Sequence, residues 1–429
     1  MPKHSHEFRD PIHNFITVSS DEREVIDSPP FQRLRYIHQL ALTYLVYPGA
    51  THRRFEHSLG VMELAGRVFD VLIRSERHKA VDDDWPPDNK LDYWREVVRM
   101  GALCHDLGHM PFSHAAEGLM AGGYHHENLS IDIIRDASMQ PLWNAFPLRP
   151  DDVAKVAAGP SKWPGGASEY SQWDKLMTDI VTDAFGVDRI DYLLRDSLHA
   201  GVAYGRFDHY RLIDTLRILP SPVDESPVIG IEAGGIHAAE ALQQARYFMF
   251  SQLYLHRVRR AYDLHLRDFL SAWLPGGHYS TDLWKHLRMT DNEVLTAIHS
   301  AAPDSTAPGH EPARRIVKRE HYQVLYSRRA EDLRMSLEPE KAICEAATKE
   351  FGDAVRLDGY RQEWQSIDFA VIRDDGSVVS SLQESEILNR IPGAAAGFVF
   401  VTPERKEEAR KWLAENHPAI LRQRREEEQ

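Results

Sequence analysis

The segment from Gly101 to Glu127, GALCHDLGHMPFSHAAEGLMAGGYHHE, concentrates side chains that bind metals and transfer protons. It contains an adjacent His-Asp pair, four further histidines and two further carboxylates. Core packing gives a chain little reason to collect such groups, because burying ionisable side chains is costly. The segment therefore predicts an active site. Cys104 lies among apolar residues, which favours a buried filler over a nucleophile.

A metal site is the chemistry that these residues indicate. Imidazole and carboxylate groups hold divalent metals and leave coordination positions for water and a phosphate oxygen. Neighbouring side chains on a regular helix point in different directions, so a His-Asp pair can converge where its helix ends, here at Gly108. Chance explains many lone His-Asp dipeptides, but the flanks HDLGHMPFSH and RFEHSLG weaken that alternative. The predicted ligands are His57, His105, Asp106 and Asp188.

Helical spacing of apolar residues positions the first three ligands. The pattern within 51–74 predicts an amphipathic helix with His57 in its first turn. A second helix over 93–107 ends at the glycine that follows, which places His105 and Asp106 in its last turn.

A third helix through 184–202 carries the fourth ligand. On it Asp188, Tyr192 and Asp196 are spaced four apart, so they share one face and rise about 6 Å from one to the next. Another helix begins near His126.

The other elements are predicted more coarsely. Residues 10–18 suggest an extended segment, and 30–40 have helical spacing. The runs TLRIL and VIGIE predict a small hairpin, and 235–269 predicts one long helix.

The predicted fold class is mainly α, a helical core with a small α+β appendage at the C-terminus. Alternating strand-like runs appear within 367–403, before a final charged helix. We expect a catalytic core over 1–300, with the metal set within 50–200, and a C-terminal helical and α+β region over 313–429. An exposed linker over 304–312 separates them.

Composition excludes several classes of protein. The chain has 429 residues, 42% of them hydrophobic, which is enough for a substantial core. Its two cysteines exclude a disulfide framework, and we find neither a signal peptide nor a membrane-spanning run, so we expect a cytoplasmic protein. The net charge of −14 argues against a stable nucleic-acid complex, because phosphate binding depends on clustered Lys and Arg.

Four segments, RFEHSLG, CHDLGHMPFSH, HHEN and VDRIDYLLRD, occur in the order found in a known family. With DPIHNFI, DSPPFQRLRYIHQL and YPGATHRRFEHSLGV, they resemble the HD-domain superfamily of metal-dependent phosphohydrolases. Within it, the deoxynucleoside triphosphate (dNTP) triphosphohydrolases, including the vertebrate enzyme with a sterile-alpha-motif domain and its bacterial relatives, are most similar. The resemblance is strongest over 10–211, and we expect no sterile-alpha-motif domain in this chain.

The resemblance implies a helical HD-domain core and hydrolysis of dNTPs to deoxynucleoside and tripolyphosphate. It implies one divalent transition metal, Fe, Mn, Zn or Ni, on the four ligands and Mg²⁺ with the nucleotide. Residues that match the catalytic positions are His109, His114, His126 and Glu117, the last replacing the usual Asp. Residues that match phosphate- and sugar-binding positions are Arg54, Arg189, Gln39, Leu40, Tyr192, Asp196 and Tyr262. His114 would protonate the departing 5′ oxygen, and Arg189 stands where the vertebrate enzyme has Lys.

The resemblance also implies a homo-oligomer, from dimer to tetramer or hexamer, and an activator site for GTP or a dNTP between subunits. Residues that match the activator site are Asp27, Gln32, Arg35 and Arg211. A role in packing and surface ion pairs suits the first three equally well, since they lie in an ordinary amphipathic segment.

Two alternatives remain open on the sequence. One is an HD-domain phosphohydrolase acting on nucleoside monophosphates, cyclic nucleotides or other phosphoesters. The other is a nucleotide-sensing or single-stranded nucleic-acid-binding protein with incidental or no turnover. The sugar-site residues argue against the first, and the complete metal set argues against the second.

Overall fold

The structure is a computed structural model that describes residues 5–74, 90–112, 116–361 and 368–427. The helices are α1 (Ser20–Ile26), α2 (Pro29–Gln32), α3 (Arg54–Arg74), α4 (Leu91–Cys104), α5 (His126–Arg135), α6 (Gln140–Ala145), α7 (Pro150–Ala158), α8 (Gln172–Thr182), α9 (Val187–Ala200), α10 (His209–Asp214), α11 (Ile236–Phe248), α12 (Arg257–Trp273), α13 (Leu283–Leu287), α14 (Asp291–Ala301), α15 (His310–Val317), α16 (Pro339–Phe351), α17 (Ser381–Glu384), α18 (Glu386–Arg390) and α19 (Lys406–Glu427). The strands are β1 (Ser5–Asp10), β2 (Asn14–Ser19), β3 (Leu216–Pro220), β4 (Pro227–Glu232), β5 (Gln323–Ser327), β6 (Val355–Arg361), β7 (Ala370–Ile372), β8 (Val378–Ser380) and β9 (Ala395–Val401). The predicted fold class, mainly helical with small sheets toward the C-terminus, is confirmed.

The chain forms two compact units that do not follow chain order. The first contains Met1–Arg246, Tyr279–Val294 and Ser366–Ile391. The second contains Tyr247–His278, Leu295–Gln365 and Pro392–Gln429. Among the described helices, none is both long and apolar enough to cross a membrane.

Helix α3 is the centre of the first unit. Most of its apolar side chains and those of the second half of α4 are buried, and α3 packs against both α4 and α9. The buried Glu22–Arg99 ion pair joins α1 to α4, and the αL residue Gly201 ends α9 in a conformation that glycine adopts without strain. These helices hold the predicted ligands on rigid elements.

Two small sheets complete the first unit. Strands β1 and β2 form an antiparallel hairpin. The predicted pair β3 and β4 is extended by β7 and β8, with β4 and β7 parallel. In the second unit β5, β9 and β6 form an antiparallel sheet, and α16 and α19 pack against it.

Two helix predictions are wrong in detail. The segment 30–40 is not one helix, because after Tyr36 the chain becomes extended and Ile37 and Gln39 exchange backbone hydrogen bonds with residues 52 and 54. The long helix over 235–269 is broken by a π-helical turn at Met249–Tyr254, after which His256 caps α12.

Core packing in the first unit gives a direct test. Leu64 on α3 is fully buried, so Leu64→Ala should lower the free energy of unfolding by about 2–5 kcal/mol through lost burial and the cavity it leaves. Chemical denaturation would measure the change. Val223, which is 89% exposed, supplies the control, since Val223→Ala should change it by no more than about 0.5 kcal/mol. Equal losses of unfolding free energy in Leu64→Ala and Val223→Ala would contradict the buried position of Leu64.

Candidate functional site

Three helix termini bring the predicted ligands together in the first unit. His57 lies in the first turn of α3, His105 caps the end of α4, and Asp188 lies in the first turn of α9. Asp106 follows immediately after α4, where the chain leaves the helix and its side chain can turn toward its neighbour's. The convergence expected from the end of that helix is therefore present.

The imidazole of His57 is held from both sides by carboxylates. Nδ1 lies 2.8 Å from Asp191 Oδ2, and Nε2 lies 3.0 Å from Asp188 Oδ1 and 3.8 Å from Asp106 Oδ2. Desolvation alone would lower the pKa of His57, but the hydrogen bonds with Asp188 and Asp191 raise it to about 10. The space beside Nε2 therefore attracts positive charge.

His105 presents a ring nitrogen to the same space. Its Nδ1–H donates to the carbonyl oxygen of Ala102 at 2.7 Å, which leaves Nε2 as the nitrogen with a lone pair. That atom is buried without a hydrogen-bond partner among the described residues, 3.3 Å from Asp106 Oδ1 and 3.7 Å from Asp188 Oδ1. Such an orphaned acceptor is expected of a metal ligand whose other nitrogen is fixed by a carbonyl.

Asp106 is buried at the middle of the cluster. Its Oδ2 accepts a hydrogen bond from Arg54 Nη1, and its Oδ1 lies 3.1 Å from His109 Nε2. Desolvation would raise the pKa of Asp106, but the charge of Arg54 and then the two imidazoles, His105 and His109, hold it well below its ordinary value. The carboxylate is therefore charged.

Asp188 is the more accessible carboxylate, with its side chain 39% exposed. Desolvation would raise its pKa as well, but the nearby imidazoles of His105 and His57 hold the pKa below its ordinary value. The site thus combines a buried and an accessible carboxylate.

This His/Asp cluster fits a divalent metal ion: ligand atoms of His57, His105 and Asp106 lie within 4.8 Å of one another, and Asp188 Oδ1 lies 3.0 Å from His57 Nε2. Two ligands about 2.1 Å from an octahedral metal and at right angles lie about 3.0 Å apart, and the Nε2 atoms of His57 and His105 lie 3.0 to 3.8 Å from oxygens of Asp106 and Asp188. The orphaned nitrogen of His105 and the two charged carboxylates supply the donors that such an ion needs.

A second group extends the cluster on the other side of Asp106. The rings of His109 and His126 stack with their centres 3.7 Å apart, and both lie within metal-binding reach of Asp106. Their approach depends on Gly108, since a Cβ there would lie 2.0 Å from the carbonyl oxygen of His126. Burial, then the charges of Arg54 and His126, hold the pKa of His109 well below its ordinary value. His114 and the side chain of Glu117 lie outside the described residues.

The residues predicted to bind phosphate and sugar occupy several environments. Arg54 is buried beside Asp106, whereas Arg189 donates to the carbonyl oxygens of residues 183 and 184, just before α9. Gln39 and Leu40 are buried, and Gln39 Oε1 has no hydrogen-bond partner among the described residues.

The remaining sugar-site predictions are divided between the units. Tyr192 is half-buried between Asp188 and Asp196 on α9, as the spacing predicts. Asp196 accepts a hydrogen bond from His52 Nε2 at 2.7 Å. Tyr262 lies in the second unit on α12, buried against the ring of His321.

Three of the predicted activator-site residues are neighbours on the surface. Gln32 donates to the carbonyl oxygen of Ile26, beside Asp27, and accepts from Arg35 Nε at 2.8 Å. The carboxylate of Asp27 accepts from Arg23. Arg211 instead donates to the carbonyl oxygen of Gly234, and no hydrogen bond or ion pair among the described residues joins it to the other three.

Several buried groups behind the predicted ligands are not indicated by the sequence pattern. Asp191 is fully buried and bonds both His57 and His13, and His52 bonds Asp196. Desolvation would raise the pKa of Asp191, but Arg195, His13 and His57 hold it well below its ordinary value. The segments DPIHNFI and VDRIDYLLRD contain two of these residues, yet no periodicity indicates that they meet.

Known protein families match the part of the chain that contains this site. Residues 54–196 match the HD domain family, and residues 207–358 match the family described as HD associated region. An uncharacterized protein of Bacillus subtilis, YwfO, is 28% identical over 90% of this chain and 89% of its own length. A solved structure of a hypothetical protein from Aquifex aeolicus, 29% identical, has a TM-score of 0.78 and covers 95% of this chain and 100% of that one.

An enzyme of known activity is also similar. The deoxynucleoside triphosphate triphosphohydrolase SAMHD1 of Gallus gallus is 30% identical over 355 residues, which are 74% of this chain and 55% of that enzyme. The chain thus spans about half the length of that relative.

Asp188 allows a test of the metal site because it is the accessible ligand. Asp188→Asn should reduce bound divalent metal at least about 10-fold, since it removes one ligand charge while the metal-free fold persists. Elemental analysis would measure the bound metal, and thermal unfolding of chelator-treated protein would show that the metal-free fold persists. Asp214→Asn, at an exposed position on α10, should leave both unchanged. Unaltered metal content in Asp188→Asn would contradict the assignment.

Proposed function

Because the chain carries the HD domain and HD-associated region of an HD-domain phosphohydrolase, we propose that it hydrolyses dNTPs to deoxynucleoside and tripolyphosphate. The observation that carries the proposal is the convergence of His57, His105, Asp106 and Asp188, with Arg54 and the His109–His126 pair beside it. Similarity to a dNTP triphosphohydrolase over 74% of the chain supports the choice of substrate.

The four ligands would hold one transition metal, Fe, Mn, Zn or Ni, and Mg²⁺ would accompany the nucleotide. When bound, such a metal would supply an activated water as the nucleophile, because it would lower the pKa of that water from about 16 toward 7. In the proposed reaction the water oxygen bonds to the α-phosphorus, the bond from phosphorus to the 5′ oxygen breaks, and that oxygen receives a proton.

The protein's own groups serve the remaining steps. Arg54, already buried beside Asp106, neutralises charge on the phosphate oxygens. His109 directs Nε2 to Asp106 and thereby holds that carboxylate in place. His126, at the more accessible side of the stacked pair, and His114 are the proton donors that we propose, with Glu117 orienting His126. Arg189 is the second cation proposed for the triphosphate.

The proposed sugar site uses the face of α9 that also carries Asp188. Tyr192 and Asp196 lie one and two turns further along it, and Asp196 is held by His52. The buried Oε1 of Gln39 can accept a hydrogen bond from the 3′-hydroxyl. Leu40 completes the proposed set in this unit and would crowd the 2′ carbon, which favours deoxyribose over ribose.

We further propose that GTP or a dNTP activates a homo-oligomer through Asp27, Gln32, Arg35 and Arg211. The cluster formed by Gln32 and Arg35 beside Asp27 supports a shared surface role. The guanidinium of Arg35 also lies over the Phe55 ring, 3.5 Å from its centre, one residue from Arg54. Activator binding at this surface could thus influence the start of α3.

The experiment that tests the function is a product assay. The purified protein is incubated with each dNTP and each matching NTP, with Mn²⁺ and Mg²⁺, with and without GTP. Deoxynucleoside with intact tripolyphosphate is the expected product, and NTPs should react more slowly. Inorganic phosphate alone, or no turnover of any triphosphate, would contradict the proposal. Turnover of monophosphates or phosphodiesters instead would establish the more general phosphohydrolase.

A second measurement tests the role of His126. His126→Ala should lower kcat at least about 100-fold and change KM little, since general acid catalysis contributes about 10²–10⁴-fold to rate. Steady-state kinetics on the best dNTP would provide both constants. The adjacent, exposed His125 supplies a matched control, and His125→Ala should retain activity. A change confined to KM would assign His126 to substrate binding instead.

A further inference from the structure

The N-terminal hairpin contacts the predicted metal site through an unbroken chain of hydrogen bonds. His13, in the turn between β1 and β2, bonds Asp191 Oδ1 through Nε2 at 2.8 Å. Asp191 Oδ2 bonds His57 Nδ1 at 2.8 Å. One buried carboxylate therefore joins a histidine of the hairpin to the metal-facing histidine of α3.

Asp191 accepts as many hydrogen bonds as a carboxylate can. Besides the two imidazoles, Arg195 donates to it twice, from Nε to Oδ2 at 2.8 Å and from Nη2 to Oδ1 at 2.9 Å. A charged carboxylate only accepts, so Nδ1 of His57 must carry a proton. Nε2 is then the nitrogen that would give up its proton to bind a metal.

Asp10 closes these contacts into a ring. Its Oδ2 accepts from Arg195 Nη1 at 2.8 Å, and its Oδ1 accepts from the backbone N–H of His13 at 2.9 Å. The ring runs from Asp10 through Arg195, Asp191 and His13 back to Asp10, and each member is buried. His57 is attached to it at Asp191.

Gly60 shows how closely the ring is packed against α3. A Cβ at this position would lie 2.0 Å from Asp191 Oδ1 and 2.5 Å from Arg195 Nη2. Since Gly60 lies one turn after His57, the helix surface beside the ligand is shaped to admit the Asp191–Arg195 pair. Any side chain at position 60 must displace the Asp191–Arg195 pair.

We propose that His13 and Asp10 are positioning residues, which orient Asp191 so that it fixes the tautomer and direction of the metal ligand His57. This inference rests on the proposed metal site and is independent of the substrate. It gives a function to the DPIHNFI segment, which the proposed reaction leaves unused. The hairpin thus determines how well the site holds a metal.

The test is Mn²⁺ binding to chelator-treated full-length protein, measured by calorimetry, with thermal unfolding recorded with and without Mn²⁺. His13→Ala should weaken Mn²⁺ binding about 10- to 100-fold, the usual cost of losing a group behind a metal ligand. It should also reduce the rise in Tm on Mn²⁺ addition. Gly60→Ala should act in the same direction without removing a polar group.

Rescue and control variants separate positioning from general stability. His13→Gln keeps a donor that reaches Asp191 and should restore Mn²⁺ binding to within about threefold of wild type. His417 also bonds a buried carboxylate, Asp332, but in the second unit. His417→Ala should therefore lower the Tm of metal-free protein without changing Mn²⁺ affinity.

Each result decides the matter. Wild-type affinity in His13→Ala and Gly60→Ala would overturn the inference and leave the metal site standing. Failure of the wild-type protein to bind Mn²⁺ would overturn both. If His13→Ala does not fold, His13→Asn replaces it, because its amide is too short to reach Asp191. Equal affinities in His13→Asn and His13→Gln would then overturn the proposal.

Discussion

A charged carboxylate held in the protein interior, Asp106, is the constraint on which the rest of the site depends. Burial of an unpaired charge costs far more than a domain can tolerate, so every group around Asp106 is arranged to compensate it. Arg54 bonds one oxygen, and His105 and His109 approach the other. Asp106 is therefore shared between the proposed four-ligand set and the His109–His126 pair. In the proposed reaction, a nucleotide phosphate between them would face a metal on one side and imidazoles on the other.

The fold meets this constraint with helix termini and two glycines. Ends of α3, α4 and α9 supply ligands from rigid elements, which fixes their directions better than loops would. Gly108 lets the start of α5 approach the segment after α4, and Gly60 admits the Asp191–Arg195 pair beside α3. Both glycines occur in the short motifs that carry the proposed ligands. These motifs therefore contain residues needed for close packing as well as residues that bind metal.

Much of this arrangement was predictable from sequence, and the unpredicted part has a physical cause. Helical periodicity and glycines at helix ends indicated the helices that carry His57, His105 and Asp188, because those patterns are local. The Asp191–His13 bond spans 178 residues, and nothing local distinguishes a buried, fully bonded Asp from an exposed one. The pairing of β4 with β7 is likewise non-local, and the extended segment after Tyr36 overrides a helical pattern through backbone bonds to residues 52 and 54.

The most direct test of the account is anomalous diffraction from crystals grown with Mn²⁺. The account predicts a peak about 2.0–2.2 Å from His57 Nε2, His105 Nε2 and one oxygen each of Asp106 and Asp188. The geometry also offers a competing position among Asp106, His109 and His126. A peak at that position alone, or none near Asp106, would contradict the assignment of the metal and with it the proposed division between metal ligands and phosphate-side histidines.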